Sequence, residues 1–293
     1  MWGKKRIYLD YAAGVAANPS SPHEEGRQAR QVLEEARTTI ARLVEVQADD
    51  VLFTSGATES NALAILGTVR AARATVAHPH VLYLPSSHAS IVENVKLLEQ
   101  EGVAIEALPI KDYRVDTEAL ARMLRSETVL VAMDAVCGET GVVWNTREVK
   151  QVLARSRLHA DSRILLHVDA SQAPLVEKIT RDHFGADLLS LDASKVGPIR
   201  GIGALIAHRT IPVVPLYRGG GQERGVRSGT EAPELATAFA KALEKTARAR
   251  ESFKKSATED RVLLAERITN TIRDVHIQEG RSQAPHILNL SLP

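Results

Sequence analysis

Short runs of branched apolar residues recur along this chain, and each is followed by a longer amphipathic stretch. Val81–Leu84, Val129–Met133, Ile164–Val168, Leu188–Leu191 and Ala204–Ala207 are such runs. They show little polar alternation, as expected of strands buried on both faces of a mostly parallel sheet. Between them, Glu25–Leu43, Glu59–Arg70, Ile91–Gln100, Thr117–Leu124 and Thr146–Ser156 carry helical spacing. Strand–helix alternation predicts an α/β layered fold with right-handed crossovers. The 293 residues suffice for one large domain or two. Glu231–Val275 is long, charged and almost free of Gly and Pro, and reads as one or two helices leaving the sheet domain. Ile287–Leu292 reads as a strand with no partner downstream in the sequence, which leaves an open edge.

Composition narrows the function. Lys+Arg 37 against Asp+Glu 36 gives a net charge of +1, without the basic excess of a nucleic-acid binder. Aromatic residues at 4% offer no base-stacking surface. One cysteine builds neither an internal disulfide nor a thiolate metal site, so no metal is expected and a reducing cytoplasm is the natural compartment. Met1–Asp10 carries no apolar core of signal-peptide length, and no run approaches the ~18 apolar residues of a spanning helix.

Four stretches carry chemistry. Val51-Leu52-Phe53-Thr54-Ser55-Gly56-Ala57-Thr58 reads as a strand, a glycine turn and a helix start, where free N–H groups bind phosphate. A plain N-capped helix has the same pattern. It is neither a Walker loop nor a dinucleotide fingerprint. Asp169, in His167-Val168-Asp169-Ala170-Ser171-Gln172, ends a buried strand where α/β sheets place ligands; it can hold a proton on a heteroaromatic nitrogen or simply cap a helix. Lys195 lies just past Leu188–Leu191, so it is either a partly desolvated amine nucleophile or a surface lysine. Gly219–Thr230 is rich in Gly and Arg, and makes either an anion nest or a flexible loop. Twenty-six residues separate Asp169 from Lys195, room for one helix and one strand. Together, a phosphate cradle, a carboxylate for a ring nitrogen and a Schiff-base lysine are what pyridoxal phosphate needs.

The ordered blocks make the chain similar to the cysteine desulfurases of the class V aminotransferase group, which have the fold-type I architecture. The resemblance runs through Ile7–Ala13, Asn18–Ser21, Gly56–Ser60, Ser87-His88 and Glu139–Val143. It continues through His167–Gln172, Lys195, Gly201–Leu205, Arg224–Thr230 and Ile287–Asn289, covering essentially the whole chain. It implies that Lys195 bonds the pyridoxal 5'-phosphate aldehyde and that Asp169 pairs with the pyridine nitrogen. His88 stacks on the ring as acid and base. Ala57, Thr58 and Ser194 hold the phosphate, and Gln172 contacts the ring hydroxyl. Thr230 reaches the cofactor of a partner subunit, which implies a homodimer. The family turns L-cysteine into L-alanine and passes sulfur on for iron–sulfur or thio-cofactor assembly, so a sulfur-acceptor protein is an expected partner. The alternatives are a degenerate homologue without turnover and a different class V reaction.

The resemblance divides the chain into an N-terminal segment (1–20), a cofactor-binding large α/β domain (21–245), and a long helix with the start of an incomplete small domain (246–293). By the same comparison, the loop cysteine and carboxylate-binding arginine of the family's small domain have no counterpart here. Cys137 and Gly138 stand where the family has two asparagines, Ser194 where a histidine is frequent and Asp192 where a serine is common. The segment between Ala13 and Asn18 is shorter than the family's. Cys137 is either a replacement sulfur acceptor or a buried filler.

Overall fold

The computed structural model describes residues 8–13, 17–156 and 163–292. Ile7 of the first resembling block, residues 14–16 of the shortened segment and the first seven positions of the N-terminal stretch lie outside the described residues.

The chain opens with α1 (Glu24–Val44), β1 (Val51–Thr54) and α2 (Ala57–Ala62). A single π-helical segment, Leu63–Gly67, carries α2 into α3 (Thr68–Ala72), so the helix expected over Glu59–Arg70 forms with a break in its period. Then come β2 (His80–Tyr83), α4 (Ala89–Gln100), β3 (Ala104–Ala107) and a small hairpin, β4 (Ile110–Lys111) with β5 (Arg114–Val115). α5 (Thr117–Met123), β6 (Thr128–Asp134), α6 (Thr146–Arg155), β7 (Leu165–Asp169), α7 (Arg181–Phe184), β8 (Leu188–Asp192) and β9 (Gly203–Ala207) complete the sheet domain. α8 (Pro233–Thr271), β10 (His276–Gln278) and β11 (Asn289–Ser291) follow.

The seven-stranded sheet has the order β1-β9-β8-β7-β6-β2-β3. Strands β8, β7, β6, β2 and β3 run parallel, and β9 is antiparallel to both β1 and β8. The α/β sheet expected from the apolar runs is therefore the one that forms. Strand side chains alternate between its faces. Val51, Phe53, Ala204, Leu189 and Val131 join one apolar layer; Leu52, Leu205, Leu188, Leu130 and Val81 join the other. β3 escaped the sequence reading because it is an edge strand, Ala-Ile-Glu-Ala, with no residue fully buried.

Glu231–Val275 resolves into a single 39-residue helix with Pro233 in its first turn, where a missing N–H costs nothing. Ala236, Phe239, Ala240 and Leu243 bury its first half alongside α1, while Val262, Leu263 and Leu264 stay exposed. The strand expected over Ile287–Leu292 is shorter, and one of its edges is paired while the other edge of the two-stranded ribbon stays open. β11 pairs antiparallel with β10, a partner supplied from upstream. Among the described residues no helix is long and apolar enough to cross a membrane.

Candidate active site

Five strand ends converge at the carboxyl edge of the sheet, the position where open α/β sheets bind ligands. β1 ends at Thr54 and turns into Gly56-Ala57; β2 leads to His88; β6 ends on Asp134, β7 on Asp169 and β8 on Asp192. Ala57, Thr58, His88, Gly138, Asp169, Gln172, Asp192, Ser194 and Lys195 line one cleft of about 160 Å³ there, with Asp134, Val136 and Ser171. Two glycines allow this close assembly. Gly56 has φ +149°, and a Cβ on Gly203 would lie 2.7 Å from the Gly56 backbone, so β9 passes directly behind the turn.

Asp169 is buried and well held. Its Oδ2 accepts from Asn61 Nδ2 at 2.6 Å and its Oδ1 from the Ser171 N–H at 2.9 Å. Asn61 Nδ2 also donates to Ser90 Oγ at 2.8 Å, and Ser90 Oγ lies 2.8 Å from His88 Nδ1. The Ser90 backbone N–H donates to the same ring nitrogen at 3.2 Å. Nδ1 is thus an acceptor, and the neutral imidazole carries its proton on Nε2. Asn61 and Ser90 link the cleft's carboxylate to its imidazole. Both lay inside or beside quoted blocks, but their role depends on contacts between α2, α4 and β7 that no local pattern encodes.

Asp134 was not anticipated either. It pairs in register with Asp169 on the neighbouring parallel strand, about 4.8 Å away in the hydrogen-bonding direction. It is 4% exposed and accepts the His88 N–H at 3.1 Å. Burial first, and the Asp169 charge second, push its carboxyl well above the usual carboxylate range; the His88 N–H and Ser87 oppose this without cancelling it. Behind the cleft, fully buried His167 is pushed down to about 4 by burial, against the opposing pull of Asp169.

Lys195 lies on the turn after β8 and is exposed where it lines the cleft. Thr230 does not join these residues; it is exposed and outside the cleft lining. Its loop is nevertheless tied to the cleft wall. Glu59 accepts from Tyr217 at 2.7 Å, from Arg227 Nε at 3.1 Å and from the Ser55 N–H. Burial would raise the Glu59 carboxyl, but these donors hold it below its ordinary value. Cys137 is 2% exposed within the apolar core, with Sγ against Ser86 O and the Thr140 N–H, as befits a filler. Gly138 does line the cleft, and a Cβ there would lie 3.1 Å from Gln172 Nε2.

The donor set suits a pyridoxal ring: a primary amine, a doubly hydrogen-bonded carboxylate, an imidazole and an amide around one cleft. At the other end, the Ala57 N–H, the amide expected from the sequence to meet a phosphate, donates to Asp192 Oδ2 at 2.9 Å.

The family model for aminotransferase class-V matches residues 5–292. A cysteine desulfurase IscS 1 from Archaeoglobus fulgidus is 35% identical over 82% of this chain and 61% of its own length. A mitosomal cysteine desulfurase from Encephalitozoon cuniculi is 32% identical over 99% of this chain and 71% of its own. Among solved structures, SspA in complex with cysteine matches with a TM-score of 0.80 at 27% identity, over 94% of this chain and 76% of that one. The chain thus spans about two thirds of the length of the curated relatives it matches.

Proposed function

The chain belongs to the aminotransferase class-V family, in its cysteine desulfurase group, and on that premise we propose that it binds pyridoxal 5'-phosphate and removes sulfur from L-cysteine, leaving L-alanine. The family is pyridoxal phosphate-dependent, and when bound the cofactor supplies an electron sink for bonds at the substrate's α-carbon. The observation that carries the reading is the joint placement of Lys195, Asp169 and His88 on one cleft at the carboxyl edge of the sheet. A solved relative in complex with cysteine supports the substrate.

In this reading each group has one task. Lys195 Nζ offers the amine that bonds the aldehyde. Asp169, fixed by Asn61 and Ser171, keeps a proton on the ring nitrogen. His88 presents Nε2–H and exchanges a proton with substrate sulfur or nitrogen. Gln172 orients the ring hydroxyl, and Ala57, Thr58 and Ser194 hold the phosphate end. Thr230 serves the cleft of a second subunit in a homodimer; its exposure outside its own cleft is compatible with that task. The large domain spans residues 21–245, between an N-terminal segment (1–20) and a small-domain portion (246–293). A reducing cytoplasm suits the single cysteine, and a sulfur-acceptor protein for iron–sulfur or thio-cofactor assembly completes the proposal.

The test is the visible absorbance of the protein with pyridoxal phosphate, before and after borohydride, alongside alanine release from L-cysteine. We expect a reducible band absent from Lys195→Ala, and alanine formation that this variant and Asp169→Ala lose. A band that persists in Lys195→Ala refutes the lysine's role, and a band without alanine formation refutes the desulfurase reading. The second outcome favours a homologue without this turnover.

A further inference from the structure

Asp192 closes β8 with its carboxylate turned into the cleft wall. Oδ2 accepts the Ala57 N–H at 2.9 Å, and Oδ1 accepts the Ser194 N–H at 2.8 Å. A Cβ built on Gly56 would lie 3.3 Å from Oδ2, so the carboxylate sits directly over the glycine turn. Ala57 and Ser194 are two of the three residues assigned above to the cofactor's phosphate. The Ala57 amide, a donor that the phosphate needs, is therefore already engaged by an anion of the chain's own, which also holds the Ser194 N–H.

Two anions at one amide repel. At about 4 Å the cost is on the order of 1 kcal/mol in water and several times that in a partly buried site, from a fewfold to far more than tenfold in affinity. A serine in the same place brings a hydroxyl donor and no charge. Among the described residues, no charged side chain forms an ion pair with Asp192; both of its carboxylate oxygens are held by backbone N–H groups. The ring end of the cleft, with Asp169, His88 and Gln172, lies on other strands and is untouched by this conflict.

We propose that Asp192 is a specificity-determining residue that acts against the cofactor's phosphate: it occupies the phosphate seat, weakens the hold on pyridoxal 5'-phosphate and leaves the hold on unphosphorylated pyridoxal unaffected. The inference rests on the cofactor reading given above and makes the phosphate the contested part of the ligand.

The experiment measures dissociation constants of pyridoxal 5'-phosphate and of pyridoxal by equilibrium dialysis, on the whole chain and its Asp192→Ser and Asp192→Asn variants. Asp192→Asn keeps the size and one acceptor, which guards against loss of the turn; circular dichroism checks both folds. We expect both variants to tighten pyridoxal phosphate about tenfold or more, with pyridoxal changed less than twofold. Inorganic phosphate supplies an independent arm, and we expect it to raise the melting temperature of Asp192→Ser but not of the unsubstituted chain. If pyridoxal phosphate binds both folded variants no more tightly than the unsubstituted chain, the inference is overturned. An equal gain for pyridoxal overturns it too, because the phosphate is then not what Asp192 opposes. If no chain binds either aldehyde, the cofactor reading fails; the phosphate arm then decides by itself whether Asp192 blocks an anion seat.

Discussion

Arg37 and Glu223 form a buried clamp whose removal has a calculable cost. Arg37 Nη1 donates to Glu223 Oε2 at 2.8 Å and to Val51 O at 2.6 Å, and Nη2 donates to Glu223 Oε1 at 2.6 Å. Glu223 also accepts the Phe53 N–H at 2.7 Å, and the guanidinium lies 4.8 Å over the Phe53 ring. Burial would lower the guanidinium's proton affinity, but the hydrogen bonds and charge of Glu223 outweigh burial and raise it. The clamp holds a strained turn: Glu223 at φ +44° and Arg224 at φ +58° are both left-handed, at about 1–2 kcal/mol each. The Glu223 side chain is 1% exposed, so Arg37→Ala leaves a buried carboxylate with one backbone donor. We expect the unfolding free energy to fall by about 3–5 kcal/mol. Arg37→Ala with Glu223→Ala should lose less than the two singles together, with a coupling of about 1–3 kcal/mol. Equilibrium urea unfolding of the cofactor-free protein reads both quantities. Limited trypsin digestion should show faster cleavage at Arg224 and Arg227 in Arg37→Ala. A loss below about 1 kcal/mol, or additive singles, refutes the claim that the clamp offsets the turn's strain.

Asp134→Asn tests the buried carboxyl pair. Because the folded pKa of Asp134 is raised, its stability contribution is complete below the unfolded value near 4 and declines as pH rises toward the folded value. The asparagine should therefore raise the melting temperature of the cofactor-free protein more at pH 8 than at pH 4; equal shifts at both refute this. His80 and His167, both fully buried and pushed down to about 4, work in the opposite direction. Their neutral forms support the fold above the unfolded value near 6.5, and each should cost about 2 kcal/mol by pH 5, a slope that His167→Gln should flatten in a pH series of urea unfolding. Ser90→Ala removes the hydroxyl bond to His88 Nδ1 but keeps the backbone N–H that donates to it, so it should leave the fold intact and the ring Nε2-protonated in nitrogen NMR, and lower cysteine turnover roughly threefold to tenfold through looser ring positioning. Unchanged turnover in Ser90→Ala sinks the positioning role of the hydroxyl, and a ring protonated on Nδ1 refutes the hold of the backbone bond.

Much of the architecture was legible because buried parallel strands and amphipathic helices leave opposite periodicities. Leu188–Leu191 and Val129–Met133 announce themselves through continuous apolar character; the observed β8 adds one residue at its end, and β6 adds one at each end. β3 and β10 left no such trace, since an edge strand and a two-stranded ribbon bury too little to demand apolar alternation. The site divides in the same way. Asp169, Lys195 and the Gly56 turn stand at strand ends, where position along one segment already implies the cleft. Asn61 and Asp134 matter through partners 29 to 108 residues away or on the next strand, and Ser90 joins a local bond to His88 with a distant one to Asn61.

The sequence by itself determined the central apolar strands and the longer helices between them, the family blocks and the chemical types gathered for a pyridoxal ring, because periodicity and glycine placement are local properties. Only the tertiary structure decided which hydrogen bonds those types make: that Asn61 and Ser90 fix the His88 proton, that Asp134 lies against Asp169, and that Asp192 takes the Ala57 amide. A carboxylate's meaning depends on the donors and charges within a few ångströms of it, and sheet pairing, not chain proximity, sets those neighbours.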